Sequence, residues 1–207
     1  MAQSIRQVKN LTILGDSYCL DFANTVGWHA SKQPQEWIRN YDALVEWSLY
    51  AGIITKSKYQ ELYDSAVLQP QQGLKIYEEA IEMRECLYRI FSAEAAKKSI
   101  NLSDLSLLNK WIKRSAAFVV LNKTDNGYYR TFAESEELDQ MLWVIADSAA
   151  ELLTSDIRYK IKQCEGGTCG WLFIDTSKNK SRRWCSMQDC GNREKAKKYY
   201  NRRKQQQ

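Results

Sequence analysis

Histidine is almost absent from the chain, with His29 the only one among 207 residues. This argues against histidine-based metal sites, Ser-His-Asp triads and most schemes that need a histidine general base. The sequence also lacks a phosphate-binding glycine loop and a dinucleotide-binding fingerprint. No pair of carboxylates has a spacing that stands out from ordinary helix surface. We therefore expect a protein that is not an enzyme and has no catalytic residues.

Long apolar stretches are missing as well. The first twenty residues contain no apolar segment long enough for a signal peptide, and no later segment approaches the roughly 18 apolar residues of a transmembrane helix. We therefore expect a soluble protein that stays in the cytoplasm. In that reducing compartment the six cysteines are expected to be metal ligands or buried thiols rather than a disulfide framework.

Net positive charge is confined to the end of the chain. Residues 164–207 hold 11 Lys and Arg against 4 Asp and Glu, so the net charge of +5 comes entirely from this last fifth. A hydrophobic content of 44% is enough for one real core and a small appended module. The charge asymmetry indicates an anionic partner for the basic end, either nucleic acid or a membrane surface.

Four of the six cysteines form two pairs, each with four residues between its members: Cys164 and Cys169, then Cys185 and Cys190. Two such pairs within 27 residues suit a tetrahedral site, with each pair on a tight turn and a short hairpin between them. The spacing predicts one structural Zn²⁺ held by four thiolates. The alternative is two disulfides in an exported protein, which the missing export signal disfavours. Cys19 and Cys86 lie in helical apolar patterns and are expected to be buried thiols.

The segment GNREKAKKYYNRRK, which follows Cys190, is predicted to be a helix that is charged almost all round. A helix without an apolar stripe is better explained by contact with phosphates than by core packing. A membrane-surface helix would need a strongly apolar face opposite its charged one, so we expect no membrane partner. A solvated tail is the remaining alternative. The candidate nucleic-acid contacts are Lys178, Lys180, Arg182, Arg183, Asn192, Arg193, Lys195, Lys197, Lys198, Tyr200, Arg202 and Arg203.

Two motifs carry a resemblance to known families. The paired cysteines followed by RRWCSMQDCGNREKAKKYYNRR resemble the CGNR zinc finger, named for the residues that stand here as Cys190, Gly191, Asn192 and Arg193. The stretch LDFANTVGW at residues 20–28 resembles the early signature of the ABATE domain, which normally precedes that finger. The resemblance implies a bacterial transcription regulator in which the four cysteines bind zinc and the finger binds double-stranded DNA.

The residues before the finger predict a mainly α fold. Helices are expected at residues 16–27, 41–51, 55–68, 74–98 and 103–113, with a β-hairpin around Asn126 and Gly127. A last long helix, capped by Ser135, is expected over residues 136–162, where it could be core or a homodimer interface. The predicted architecture is a multihelical domain with one β-hairpin over residues 1–162, for ligand sensing or dimerisation, followed by a small zinc finger with a basic helix over residues 163–207.

Polar residues interrupt the apolar faces of two predicted helices. Arg84 falls where its helix expects an apolar side chain, and Asp21 and Asn24 are embedded among apolar neighbours. An ion pair of Arg84 with Asp21, supported by the Asn24 amide, would satisfy these groups. The other interpretation is a polar floor in an effector pocket, with Trp28 at its mouth.

Two functions remain open at this point. In one, the finger binds DNA and the helical domain senses a small effector, which makes a transcription regulator. In the other, the finger is a docking module for RNA or protein without sequence-specific recognition of DNA.

Overall fold

The computed structural model describes residue 8 and residues 11–204, and within them the chain forms seven α-helices and three small antiparallel sheets. The helices are Tyr18–Ala23 (α1), Tyr41–Tyr50 (α2), Lys56–Leu68 (α3), Pro70–Ala95 (α4), Leu102–Ala116 (α5), Gln140–Thr154 (α6) and Asn192–Lys204 (α7). The strands are Val26–Gly27 (β1), Gln35–Glu36 (β2), Val119–Thr124 (β3), Gly127–Phe132 (β4), Ile161–Gln163 (β5) and Leu172–Ile174 (β6). The predicted mainly α fold is confirmed. The outer limits of the two predicted domains, residues 1 and 207, lie outside the described residues.

Side-chain caps determine where several helices begin. Asn40 accepts a hydrogen bond from the Ala43 N–H at the start of α2, and Thr55 accepts one from Lys58 at the start of α3. Pro70 occupies the first turn of α4, where its missing N–H costs nothing. The cap of α5 is Asn101 and not Ser103, so this helix begins earlier than predicted and extends to Ala116.

The predicted helix over residues 136–162 is wrong at both ends. The helix α6 begins only after Asp139 and ends at Thr154, because Ser155 has an extended backbone (ψ 159°). A short 3₁₀ segment, Asp156–Lys160, follows it, and β5 then pairs with β6 in the register Ile161 with Ile174. The apolar face of α6, with Met141, Leu142 and Ile145, is fully buried against α1 and α5. This face is therefore core.

The predicted β-hairpin is present as β3 and β4. Val119 pairs with Phe132 at one end and Thr124 with Gly127 at the other. Gly127 has a φ of 142°, which side-chain-bearing residues rarely adopt, so glycine suits the reversal. At its base, Phe118 stacks on Trp143 of α6 with ring centroids 3.9 Å apart. The sequence-based prediction missed another strand pairing, near the start of the helical domain, where β1 and β2 form a two-residue ladder.

One continuous hydrophobic cluster joins the helices to the C-terminal segment. Phe22 of α1 packs on Trp47 of α2 with ring centroids 5.2 Å apart, near the middle of this cluster. Leu172 and Phe173 of β6 are fully buried in the same cluster. In the part of the chain that the structure describes, no helix is both long and apolar enough to cross a bilayer. The C-terminal strands thus complete the core of the helical domain.

Candidate metal centre and basic helix

The four predicted ligand cysteines converge on one point. Their Sγ atoms all lie within 4.8 Å of one another and all four residues are buried. The Sγ atom of Cys185 is 3.7 Å from that of Cys169 and 3.7 Å from that of Cys190. In a tetrahedral site with Zn–S bonds of about 2.3 Å, two sulfurs are about 3.8 Å apart. The cluster therefore fits one structural zinc ion, and the disulfide alternative is wrong because all four thiols are free.

Two backbone features bring the sulfurs together. A Cβ atom added at Gly166 would lie 3.0 Å from the Sγ atom of Cys190, so glycine lets the first turn approach the second closely without pushing this sulfur aside. The Cys185 N–H donates to the Sγ atom of Cys164 over 3.3 Å. N–H groups directed at sulfur favour thiolates, which are the form that binds a metal.

The pKa values of these thiols are shifted in opposite directions by hydrogen bonds among the four sulfurs and by burial. Hydrogen bonds with Cys169 and Cys185 lower the pKa of Cys164 to about 2. The hydrogen bond with Cys164 is the main cause that raises the pKa of Cys169 to about 12 and that raises the pKa of Cys185. Burial raises the pKa of Cys190. One thiolate thus forms readily while further ionisation is opposed, and a bound divalent cation supplies the positive charge that four thiolates require.

Each residue of the CGNR motif makes a contact that shapes the start of α7. Cys190 lies in a π-helical turn, Met187–Gly191, that leads directly into the helix. A Cβ atom at Gly191 would lie 2.5 Å from the Sδ atom of Met187, so a side chain there would require the Met187 thioether to move. The Asn192 amide donates to the Gln188 carbonyl over 3.0 Å, and Arg193 donates to the Sγ atom of Cys190 over 3.4 Å. The helix is therefore tied to the metal centre by its first turn.

The helix α7 is exposed along its whole length. Within Asn192–Lys204 no residue is buried, and its only acidic side chain is Glu194, against seven Lys and Arg. Tyr199 and Tyr200 expose 62% and 66% of their surface. The predicted nucleic-acid residues of this helix, Asn192, Arg193, Lys195, Lys197, Lys198, Tyr200, Arg202 and Arg203, are all exposed.

The basic residues between the cysteine pairs fall into two groups. Lys178 and Lys180 are exposed in the loop after β6. Arg182 instead lies over the Phe173 ring at 4.4 Å and donates to the Trp184 carbonyl over 3.0 Å and to the Cys185 carbonyl. The Arg182 guanidinium is therefore occupied in holding the second cysteine turn, and its contact with nucleic acid stays a prediction. Arg183 is exposed but is paired with Glu165 at 2.6 Å.

Sequence reasoning did not single out Asp175, which organises the same loop. Its buried carboxylate accepts hydrogen bonds from Lys162 Nζ at 2.6 Å, from the Ser177 hydroxyl at 2.6 Å and from the Arg182 N–H at 3.1 Å. Burial alone would raise the pKa of Asp175, but the Lys162 and Ser177 bonds outweigh it and hold the pKa far below its usual value. The only available signal was a single carboxylate at the end of a short apolar strand.

The predicted ion pair of Arg84 with Asp21 is wrong. Arg84 is almost fully buried and makes a bidentate pair with Glu36, with N–O distances of 2.7 and 2.6 Å. Asp21 accepts from the backbone N–H groups of Leu14 and Gly15, at 2.9 and 3.2 Å. Burial raises its pKa to about 6, in spite of these two bonds. Glu36 was missed because a two-residue strand carries no periodicity that identifies it.

Asn24 and Trp28 make contacts that do not involve Arg84. Asn24 is 3% exposed and bridges α1 to β6, donating to the Leu172 carbonyl over 2.8 Å and accepting from the Leu172 N–H over 2.9 Å. Trp28 is 40% exposed, with a φ of 50°, and lines a cavity beside the cysteines. Asp21 lines a different cavity, between α1, β4 and α6. Asp21 and Trp28, two of the four residues predicted for an effector pocket, therefore line different cavities.

Fold and site together define a helical domain that carries a C-terminal four-cysteine zinc finger. A family model described as "CGNR zinc finger" matches residues 160–203. A second model, ABATE, described as "Putative stress-induced transcription regulator", matches residues 16–156. Among curated proteins no sequence matches the chain. The chain belongs to the ABATE family and ends in a CGNR zinc finger.

Proposed function

We propose that this protein is a zinc-dependent DNA-binding transcription regulator whose finger contacts double-stranded DNA and whose helical domain binds a small effector. The observation that carries the proposal is the pose of α7. A helix with seven Lys and Arg and no buried residue is attached by its first turn to a buried four-cysteine centre. An exposed cationic helix of this kind has phosphates as its natural partners.

The metal centre gives the helix a fixed direction. Because Cys190 is both a zinc ligand and part of the turn that begins α7, binding of zinc restricts how the helix leaves the domain. Arg193 strengthens the link through its hydrogen bond to the Cys190 sulfur. A helix held this way loses less conformational entropy on binding than a free tail would.

We assign the phosphate contacts to α7 and to the loop after β6. Besides Arg193, six cations of the helix are exposed and stand apart from the salt bridges of the described chain, namely Lys195, Lys197, Lys198, Arg202, Arg203 and Lys204. Lys178 and Lys180 extend the same positive character into the loop. Arg182 keeps a structural role, and Arg183 would have to leave Glu165 to reach a phosphate. Neither family description names an enzymatic activity, and we propose a protein without one.

A docking module for RNA or protein is the alternative, and the tyrosines of α7 are what favours it. Tyr199 and Tyr200 are exposed side by side, and aromatic rings of this kind stack on unpaired bases. Duplex DNA and single-stranded RNA should therefore be compared directly by fluorescence anisotropy at two salt concentrations. A regulator retains preferred duplexes when the salt is raised, whereas a general polyanion binder loses all targets alike.

The decisive variant changes Lys195, Lys197 and Arg202, three exposed cations of α7, together to Gln. Loss of three phosphate contacts should lower the slope of log affinity against log salt by about 2.7 and abolish DNA binding at moderate salt. A matched control changes Lys75, Lys98 and Lys110 to Gln, which removes the same charge from exposed positions of the helical domain. Zinc content and helicity should be unchanged in both. Equal DNA binding by the two variants would remove α7 from the mechanism.

A further inference from the structure

A cavity of about 460 Å³ lies where the helical domain meets the zinc finger. We name it the seam cavity and define it by Trp28, Gln35, Trp37, Trp171, Asp189 and Arg193, together with the sulfur-bearing Cys169, Cys185 and Cys190. Its volume is in the range of cavities that hold small organic ligands. Both parts of the chain contribute to its wall, so an occupant would contact both.

Three tryptophans make up the apolar part of this wall. The Trp37 and Trp171 rings meet nearly at right angles, with an interplanar angle of 80° and centroids 5.8 Å apart. The Trp171 indole N–H donates to the Val26 carbonyl over 2.8 Å, which fixes that ring. A Cβ atom at Gly27 would lie 2.5 Å from the Trp37 ring, so β1 lies directly on it. Trp28 forms the exposed rim. Two of the three rings are thus held in place before any ligand binds.

The charge around the seam cavity is negative. A zinc ion offsets only part of the charge of four thiolates, and three of the four cysteines line the cavity. Asp189 adds a carboxylate. Among the described residues that line the cavity the one cation is Arg193, which donates to the Cys190 sulfur over 3.4 Å, so its charge is balanced within the centre. An anion entering here would meet net repulsion, whereas a cation would be attracted both by this charge and by the aromatic faces.

We propose that the seam cavity binds a small organic cation with an alkylated ammonium group. Aromatic rings attract such a group without requiring hydrogen bonds from it. Trp28 offers the exposed face, Trp37 and Trp171, each 7% exposed, lie deeper in the wall, and the Asp189 carboxylate complements the charge. We further propose that the bound cation changes the binding of DNA, a step that rests on the proposed function. The cation would contact the turn of Cys190 and Arg193, from which α7 begins. Binding there would bias the pose of the basic helix.

The test uses calorimetric titration of the zinc-loaded full chain with benzyltrimethylammonium at constant ionic strength. Benzoate and benzyl alcohol serve as the anionic and neutral probes of similar size. We expect the cation to bind at least about tenfold more tightly than either. No detectable binding of the cation, or tighter binding of benzoate, would overturn the proposal.

Variants of the rim residue locate the site. Trp28→Gly removes the indole and suits the positive φ of this position, so the fold should be retained, which a thermal melt checks. We expect it to weaken the cation about tenfold, while Trp28→Phe keeps an aromatic face and stays within about threefold. Asp189→Asn should weaken the cation about threefold and leave benzyl alcohol unchanged. Cation binding that is insensitive to Trp28→Gly would contradict the assignment.

A DNA titration with and without the cation separates the two proposals. If calorimetry shows the cation in the seam cavity but no duplex binds, the regulator function fails and the binding site stands. If a duplex binds and the cation does not, the binding site fails and the regulator function stands.

Discussion

Replacing Asn24 by alanine should destabilise the whole protein, because this one side chain joins α1 to β6. Its amide makes two buried hydrogen bonds with the same residue, to the Leu172 carbonyl and from the Leu172 N–H. Truncation leaves both backbone groups without a partner, and each buried unsatisfied group costs about 1 to 3 kcal/mol. We therefore expect a loss of about 2 to 6 kcal/mol in the free energy of unfolding, a large part of the total for a domain of this size.

Urea unfolding of the zinc-loaded protein, followed by far-ultraviolet circular dichroism and by zinc release, measures this loss. Asn24→Asp tests the direction of the two bonds, since a carboxylate can accept from the Leu172 N–H but faces the Leu172 carbonyl with a second oxygen. The Asn24→Asp protein should therefore be no more stable than the Asn24→Ala protein. Asn109→Ala, at an exposed position of α5, is the control and should not destabilise. A loss below about 1 kcal/mol for Asn24→Ala, or an unchanged midpoint of zinc release, would refute the reasoning.

Three further predictions concern the metal, the pH dependence and the backbone. Cys185→Ser should abolish stoichiometric zinc binding, measured by metal analysis, and lower the melting temperature, because three thiolates hold the ion less well than four. Burial raises the pKa of Asp21 from 3.8 to about 6, so the protonated carboxyl stabilises the fold fully below about pH 4, and this contribution is lost as the pH rises through 6. Relative to Asp21→Asn, the free energy of unfolding should therefore fall by about 3 kcal/mol over this window in unfolding titrations. Gly170→Ala should cost about 2 to 4 kcal/mol, because φ is 71° and the new Cβ would lie 2.8 Å from the Ala30 backbone, whereas Gly73→Ala in α4 should be neutral or stabilising.

Each of these has a result that would count against it. A full zinc equivalent in Cys185→Ser would mean that the ligand set is wrong. A difference between the wild type and Asp21→Asn that is flat between about pH 4 and 7 would mean that this carboxyl is not desolvated. Equal stabilities of the two glycine variants would show that the approach of Gly170 to Ala30 is not tight.

Local chemistry explains the parts of the fold that were predictable. The cap of α3 at Thr55 and the hairpin reversal at Gly127 both depend on residues within a few positions of each other. The four ligand cysteines were identifiable for the same reason, since each pair closes over a single turn. A short sequence window contains all the information that such features need.

Long-range pairing explains the parts that were not predictable. Arg84 was correctly identified as needing a partner, but Glu36 lies 48 residues away in a strand of two residues. The charge of Arg182 suggested a phosphate contact, and only the fold shows that it lies over Phe173. The end of α6 was misplaced because three residues, Ile161–Gln163, form a strand only by pairing with β6.

The bridge from Asn24 to Leu172 has a consequence for biosynthesis. These residues are 148 positions apart, so the first helix emerges from the ribosome long before the strand that satisfies its amide has been translated. Until then the polar side chain of Asn24 and the neighbouring apolar surface of α1 have no native partner. The nascent chain must therefore wait for nearly its whole length before its core can close, and this interval is when it is most exposed to aggregation.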